Sequence, residues 1–170
     1  MSDWHLRLAR PGDAAAMLAI ELAAGALFRD YPETGDAGTY AIPEAEQRRH
    51  IARGHCLLAT VDDAIVGFIT CRSYRRELDI VELDVHPAHQ RRGIGGGLLR
   101  AALIDARNCG FRAVTLTTFR NIPWNAPFYA RHGFGEISDL QSHARLSAAI
   151  AREAAHGLPE KERVAMIAYL

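Results

Sequence analysis

Residues 85–99 read VHPAHQRRGIGGGLL and decide the fold, because an apolar strand ends there, a basic glycine-rich turn follows and a helix begins. Glycines let the backbone approach an anion closely, and the free amides and the dipole at the start of a helix favour negative charge. Arg91 and Arg92 add formal positive charge at the same turn. The stretch therefore predicts a site for a phosphorylated ligand between a strand and a helix.

The pattern on both sides of this turn predicts a mixed α/β chain. Short apolar runs separated by turn residues predict antiparallel strands over 55–61, 64–73 and 78–85. Helical periodicity predicts a helix over 95–108, and an apolar run predicts a strand over 113–119. Because a helix joins these last two strands, we expect the strand over 113–119 to lie parallel to the one ending at Val85.

The outer segments complete the predicted domain. We expect a strand over 4–9, a helix over 14–27 capped by Asp13, a helix over 44–53, a short helix over 125–132 capped by Asn125, a strand opening at Phe134, a helix over 139–156 and a strand over 164–169. Residues 28–43 are predicted to form a long irregular connection. This order predicts one α/β domain over residues 1–170, with a mixed sheet of six to seven strands flanked by helices.

Composition excludes several classes of function. The chain has 170 residues, is 49% hydrophobic and 24% charged, and carries no formal net charge, so it gives no electrostatic reason to expect a nucleic acid or an anionic membrane as partner. Among its 20 basic residues only Lys161 is a lysine, which argues against a Schiff base. Three widely spaced cysteines and a start without a basic flank predict a cytoplasmic protein without a membrane span, either a monomer or a homodimer.

Two common phosphate-binding patterns do not fit the glycine turn. A Walker A loop needs a glycine followed by lysine, and no glycine in this chain is. A dinucleotide fingerprint would need its third glycine at the position of Leu98, and it opens a βαβ unit, whereas antiparallel strands precede this turn. The phosphorylated ligand therefore belongs to another class.

A third pattern does fit. Residues 90–95, QRRGIG, closely resemble the pyrophosphate-binding motif Q/R-x-x-G-x-G/A of the GNAT superfamily of acyl-CoA-dependent N-acetyltransferases. Residues 125–134, NAPFYARHGF, resemble the second landmark of that superfamily, a helix ending in Tyr-x-x-x-Gly-Phe. The two landmarks cover about a third of the chain, and the predicted element order is similar over nearly all of it.

The resemblance implies acetyl-CoA as co-substrate and assigns the donor site. The diphosphate would lie on the amides at the start of the helix, and the pantetheine arm would lie beside the strand ending at Val85, where it splays from the strand over 113–119. Asn125 resembles the asparagine that bonds this arm. The implied donor-site residues are Leu83, Asp84, Val85, Gln90, Arg91, Arg92, Gly93, Ile94, Gly95, Gly96 and Asn125.

The resemblance also implies catalytic residues. Tyr129 occupies the landmark position of the proton donor to the leaving sulfur, and a backbone amide of residues 83–85 would polarise the thioester carbonyl. For the base, regular strand alternation points Asp79 into the acceptor cleft, whereas Glu82 has the opposite parity and needs a bulge to turn inward. A water chain is the third alternative.

The expected activity is transfer of an acetyl group from acetyl-CoA to a primary amine, by direct attack in a ternary complex. The amine belongs either to a small molecule or to a protein. A non-catalytic acyl-CoA sensor is the alternative. Four acidic residues either attract a cationic amine or are surface charges: Glu33, Asp36, Glu44 and Glu46. No metal is expected, because Pro87 breaks the helix that would bring His86 and His89 together.

Overall fold

A computed structural model describes residues 3–170, which form a seven-stranded sheet in the order β1-β2-β3-β4-β5-β7-β6. The strands are β1 (His5–Leu8), β2 (Cys56–Val61), β3 (Ala64–Tyr74), β4 (Glu77–Val85), β5 (Ala113–Phe119), β6 (Gly135–Glu136) and β7 (Arg163–Tyr169). The helices are α1 (Ala14–Gly25), α2 (Glu44–Arg53), α3 (Ile94–Asn108), α4 (Ala126–Ala130) and α5 (Ala144–Ala155). The predicted element order and mixed α/β sheet are confirmed.

The pairing of β4 with β5 is parallel and short. It joins residues 77–80 to residues 113–116, while every other neighbouring pair in the sheet is antiparallel. Beyond Ile80 and Leu116 the two strands diverge, as the predicted splay requires. The facing edges of β4 and β5 therefore carry backbone groups that are not paired with each other, and these edges border an open gap.

A β-bulge interrupts β4 just where the splay begins. Thr70 of β3 pairs with Glu82, but its neighbour Cys71 pairs with Ile80, so Val81 is the extra residue of β4. Because a bulge shifts the alternation of side chains by one position, Asp79 and Glu82 lie on the same face of the sheet. Regular alternation would put these two carboxylates on opposite faces, and this bulge is the feature that Glu82 was expected to need in order to turn inward.

Apolar side chains fill both faces of the sheet. On one face, α3 and α4 pack through residues such as Leu98, Leu99 and Tyr129 onto Ile69, Leu78 and Leu116. On the other face, α1 and α2 pack through Met17 and Ile51 onto Phe68, and α5 packs through Leu146 and Ile150 onto Ala165. The bulge of β4 therefore turns Glu82 toward the face that α1, α2 and α5 cover.

Asp13 does not cap α1 as expected. It ends a short 3₁₀ turn over Pro11–Asp13, and its carboxylate accepts a hydrogen bond from the Arg10 amide at 2.7 Å. The same carboxylate accepts two hydrogen bonds from the Arg7 guanidinium, at 2.7 and 2.9 Å. Asp13 thereby ties the first strand to the start of α1, and α1 itself continues beyond Gly25 as a 3₁₀ turn over Ala26–Asp30.

The helical stretch Pro11–Asp30 is long and apolar enough to cross a membrane by length and composition alone, with a mean hydropathy of 1.3. Core helices of soluble proteins pass the same test, so the expectation of a protein without a membrane span stays a prediction. In the fold, the buried residues of α1 are Ala14, Met17, Ile20, Glu21 and Ala24. Through this face α1 packs onto the sheet.

Candidate active site

A cavity of about 910 Å³ occupies the gap between the diverging ends of β4 and β5. Its walls include β4 residues 79–85, β5 residues 116–119 and the glycine turn that precedes α3. Residues of α1, of α2 and of the connection between them line the opposite side, together with part of α5. The gap in the sheet is therefore the floor of one large cleft.

The glycine turn presents free amides to this cleft. Gly93 has a φ of +80° and precedes α3, and the first intrahelical bond runs from the Gly97 amide to the Gly93 carbonyl at 2.9 Å. The amides of residues 94–96 are thus among the unbonded donors of the first turn, and these residues line the cavity. The Gln90 side chain fixes the turn on β4, because its amide donates to the Val85 carbonyl at 3.0 Å.

Two glycines of α3 allow close packing as well. A Cβ atom on Gly97 would lie 2.3 Å from the Trp4 ring, and one on Gly96 would lie 3.0 Å from Nε2 of His132. Real Cβ atoms do not approach other atoms as closely as 2.3 Å, so Gly97 makes room for the indole. The glycine run therefore serves both packing and the exposure of its amides.

The two arginines of the turn lie in different surroundings. Arg91 is exposed and lines the cavity. Arg92 forms an ion pair with Asp3, and its Nη1 lies 2.9 Å from Nδ1 of His89. Its carbonyl accepts a hydrogen bond from the Trp4 indole at 3.2 Å. Although both positions were predicted to contact a phosphate, only the Arg91 side chain borders the cavity.

Tyr129 of α4 lines the cleft and is only 9% exposed. Its ring makes edge contacts with Phe128 and Phe134, at centroid distances of 5.2 and 5.7 Å. Burial raises the pKa of Tyr129 well above its usual value of 10, and the nearby Glu82 and Asp84 carboxylates raise it further. The phenol therefore holds its proton at neutral pH and is a hydrogen-bond donor.

Asn125 lines the cleft, but it does not cap α4 as predicted. Its Oδ1 accepts a hydrogen bond from the Thr118 hydroxyl of β5 at 2.6 Å. The side-chain NH₂ group, which an amide always carries as a donor, is left for another partner. Asn125 is thus held against the end of β5 that diverges from β4.

Asp79 is 8% exposed and belongs to an ion-pair network at the paired end of β4 and β5. Its Oδ1 accepts from the Thr115 hydroxyl at 2.7 Å and lies 2.9 Å from the Arg145 guanidinium. Arg145 also donates to Glu77 at 2.8 Å and stacks over the Tyr74 ring at 4.4 Å. Burial raises the pKa of Asp79, while Arg145 and Thr115 oppose this shift.

Glu82 lies half-buried in the cleft, beside the unpaired edge of β4. Burial raises the pKa of Glu82 to about 7, and Arg163 partly opposes the shift. Asp84 lines the same cleft, and burial followed by the charge of Glu82 raises its pKa far above the usual range. Glu82 is therefore a carboxylate whose proton exchanges near neutral pH, as a general base needs. The roles of Glu82 and Asp79 as alternative bases stay predictions.

Glu21 of α1 joins this group, although the sequence analysis did not select it. It is 7% exposed and lines the cleft, and its Oε1 accepts a hydrogen bond from the Ile42 amide at 3.0 Å. Burial, and then the charges of Glu82 and Glu46, raise the pKa of Glu21 to about 8. One signal was available: Glu21 is the single charged residue in the otherwise apolar sequence of α1.

A second group of polar side chains lies outside the cleft, where β2 begins and α3 ends. Nδ1 of His55 is 2.6 Å from the Asp105 carboxylate, and the Cys109 thiol lies 3.7 Å from the other oxygen of that carboxylate. One ligand atom from each residue lies within 4.8 Å of the others. Hydrogen bonds to Asp105 account for these contacts.

Comparison with known proteins identifies this architecture. The family model described as "Acetyltransferase (GNAT) family" matches residues 22–134, which is more than half of the chain. The chain belongs to the GNAT acetyltransferase family. This confirms the resemblance drawn from the glycine turn and the second landmark, and it makes the protein an acyltransferase by family.

Solved structures share the fold of this GNAT chain. PaiA N-acetyltransferase from Thermoplasma acidophilum, in complex with coenzyme A, has a TM-score of 0.70 at 16% identity, covering 98% of this chain and 99% of that chain. A GCN5-related N-acetyltransferase from Rhodopseudomonas palustris has a TM-score of 0.69 at 22% identity, and the match covers 100% of this chain and 98% of that chain. A GNAT family acetyltransferase from Brucella melitensis, in complex with acetyl-CoA, has a TM-score of 0.56 at 26% identity, and the match covers 79% of this chain and 84% of that chain.

We predict that Glu21→Gln changes the pH dependence of stability. The folded-state pKa of Glu21, about 8, lies above its ordinary value of 4.5, so the folded state holds the proton more tightly than the unfolded state. The wild type therefore loses stability as pH rises from about 5 to about 8. Glutamine keeps an oxygen for the Ile42 amide but does not ionise. In urea unfolding, the free energy of unfolding of Glu21→Gln minus that of the wild type should increase by more than about 1.4 kcal/mol between pH 5 and pH 8.

The matched control is Glu33→Gln, since Glu33 is exposed and no part of the cavity wall. It should follow the wild-type curve at every pH. Parallel curves for wild type and Glu21→Gln would contradict the burial of an ionisable group at this position.

Proposed function

We propose that this GNAT protein transfers an acetyl group from acetyl-CoA to a primary amine, by direct attack in a ternary complex. The observation that carries the proposal is that one cleft contains both the free amides of the glycine turn and the unpaired edge of β4. Free amides at the start of a helix bind a diphosphate, and an unpaired strand edge forms hydrogen bonds with a peptide-like chain. Relatives with the same fold bind coenzyme A or acetyl-CoA.

The residues present fit such a donor. The amides of residues 94–96 and the Arg91 guanidinium would hold the diphosphate. Leu83, Asp84 and Val85 would bond the amide groups of the pantetheine arm through their backbone, because this stretch of β4 has no partner on β5. Asn125 would add its side-chain NH₂ group from the other side of the gap. Acetyl-CoA would supply the acetyl group as a thioester and leave as the thiol.

The chain's own groups then meet the needs of the reaction. Glu82, as the carboxylate, would accept a proton from the ammonium form of the acceptor, which frees the nitrogen lone pair for attack on the carbonyl carbon. A backbone amide of residues 83–85 would donate to the carbonyl oxygen as it gains negative charge. As the carbon–nitrogen bond forms and the carbon–sulfur bond breaks, the Tyr129 hydroxyl would donate its proton to the sulfur, and the second proton lost from the attacking nitrogen would restore this hydroxyl. Glu82 is favoured over Asp79 because Arg145 and Thr115 already engage Asp79.

We predict that Arg91→Ala weakens coenzyme A binding more than Arg92→Ala does. Arg91 borders the cavity, whereas Arg92 is paired with Asp3 and His89. Loss of one charge-assisted contact to a phosphate corresponds to about a tenfold rise in Kd. Isothermal titration calorimetry with coenzyme A measures both variants, and each serves as the control of the other, since both remove one positive charge. Equal losses would show that long-range charge, rather than contact, explains the effect.

We predict that Tyr129→Phe lowers kcat by about 100-fold or more while the Kd for coenzyme A changes little. Only the hydroxyl is removed, so the ring still packs on Phe128 and Phe134. Thiol release from acetyl-CoA across a panel of amines measures the rate, and Tyr169→Phe, an exposed tyrosine outside the cleft, is the control. An unchanged kcat would remove the assigned role. Coenzyme A binding without thiol release from any amine in the wild type would instead favour the acyl-CoA sensor.

We predict that the pH profile separates the two candidate bases. Because the carboxylate form of Glu82 is the active one, kcat/KM should rise as pH passes through about 7 in the wild type. Glu82→Gln should lower the rate and remove this rise. Asp79→Asn should keep the rise, since Asp79 is engaged by Arg145, although it should lose stability. The opposite pattern would assign the base to Asp79.

A further inference from the structure

The acceptor side of the cleft carries a row of carboxyl groups that have no cation of their own. Glu82 and Asp84 are on β4, Glu21 is on α1 and Glu46 is on α2, and all four line the cavity. Burial and mutual repulsion act on this row: Glu82 raises the pKa of Asp84, and both Glu82 and Glu46 raise that of Glu21. Glu82 and Asp84 of β4 form the inner part of this row, and Glu21 and Glu46 of the two helices form the outer part.

The cations that border the cleft are engaged elsewhere or stand apart from this row. Arg163 donates to Glu153 at 2.8 Å and stacks over the Phe119 ring at 4.5 Å. Arg72 stacks on Tyr74 at 4.7 Å, while its buried Nε has no hydrogen-bond partner within residues 3–170, and Arg152 is exposed. Within residues 3–170, the one basic side chain within 4 Å of any member of the row is His50, whose Nε2 lies 3.7 Å from Oε1 of Glu46.

His50 supplies a second and independent sign of a ligand. It is only 4% exposed and lines the same cavity, and in the described part of the chain its Nδ1 has no hydrogen-bond partner. Burial and the nearby Arg72 lower the pKa of His50, so the ring is neutral. If the hydrogen of the neutral ring is on Nε2, toward Glu46, then Nδ1 is a hydrogen-bond acceptor without a donor. An ammonium group would satisfy this nitrogen and Glu46 together.

Aromatic groups complete the outer part of this surface. Tyr40 lines the cavity, and burial together with the charges of Glu46 and Glu21 raises the pKa of its hydroxyl. Phe28 and Trp124 line the cleft with ring centroids 5.7 Å apart. Aromatic faces favour alkyl chains and cations alike. An aliphatic chain that carries positive charge therefore fits such walls.

We propose that the acceptor is a linear aliphatic diamine or polyamine, whose reacting nitrogen lies at Glu82 and Asp84 while a second ammonium group lies between Glu21, Glu46 and His50. This inference rests on the proposed acetyl transfer and adds the class of acceptor to it. Two ammonium groups match the inner and the outer part of the row, whereas a monoamine leaves the outer part without a cation. The outer carboxylates are thereby specificity-determining residues.

The test compares three acceptors in the thiol-release assay: 1,4-diaminobutane, butylamine, and ornithine, which also has four carbons between its nitrogens but adds a carboxylate. The wild type should use 1,4-diaminobutane at least about tenfold better than butylamine, as kcat/KM, since one charge-assisted contact has about this effect. In Glu46→Gln and Glu21→Gln, kcat/KM for the diamine should fall about tenfold more than for butylamine. Glu33→Gln, which removes the same charge outside the cleft, should keep the wild-type preference.

Two results would overturn the proposal. Equal use of butylamine and 1,4-diaminobutane would show that no second ammonium is bound, and preference for ornithine would show that Arg72 or Arg152 binds a carboxylate. Calorimetry with 1,4-diaminobutane and the coenzyme A-loaded protein separates this inference from the proposed function. If 1,4-diaminobutane binds, binds more weakly to Glu46→Gln and causes no thiol release, the protein binds diamines but does not acetylate them. Thiol release with butylamine but not with 1,4-diaminobutane would support acetyl transfer and rule out the diamine as the acceptor class.

Discussion

The short parallel pairing of β4 and β5 is the constraint on which the site depends. Four residue pairs hold these strands together, and after Ile80 and Leu116 they diverge. Arg145 from α5 fastens the paired end through Glu77, Asp79 and Thr115. Because that end is fixed, the open end has a defined width and a defined set of unbonded backbone groups. A ligand with amide groups of its own is the natural partner for such an edge.

The two sides of the cleft differ in charge, and each side follows from local backbone geometry. The donor side has Gly93 in a left-handed conformation, so that the first amides of α3 face the opening. The acceptor side has the bulge at Val81, which brings Asp79 and Glu82 onto one face and places Glu82 opposite α1. Burying carboxyl groups without cations costs folding free energy. The fold tolerates this cost at the place where a cationic acceptor would offset it.

Much of the fold could be predicted from the sequence, because hydrophobic periodicity and turn residues act locally. The bounds of α2 and β5 match the expectation of a helix over 44–53 and a strand over 113–119. The predicted helix caps at Asp13 and Asn125 are wrong, because these side chains accept hydrogen bonds from Arg7 and Thr118. These partners lie in other elements, beyond the reach of local pattern reasoning.

The site was predictable to a similar degree. The glycine turn, Tyr129 and the β4 stretch 83–85 meet at one cavity, as the motifs indicated. The bulge at Val81 was not predictable, since it depends on how β3 and β4 align over their whole length. Glu21 was missed because no motif marks it. Its isolation in an apolar helix was a usable signal, since a buried carboxyl on a core face needs a functional or structural reason.

The two tryptophans of the chain are placed so that each could serve as a natural optical probe of one half-site. Trp4 donates a hydrogen bond to the carbonyl of Arg92, within the glycine turn, whereas Trp124 lines the cleft beside Phe28 and Tyr31. Indole emission responds to changes in polarity around the ring. Variants that retain one tryptophan at a time would thus let the order of ligand arrival be followed by fluorescence, without any attached label.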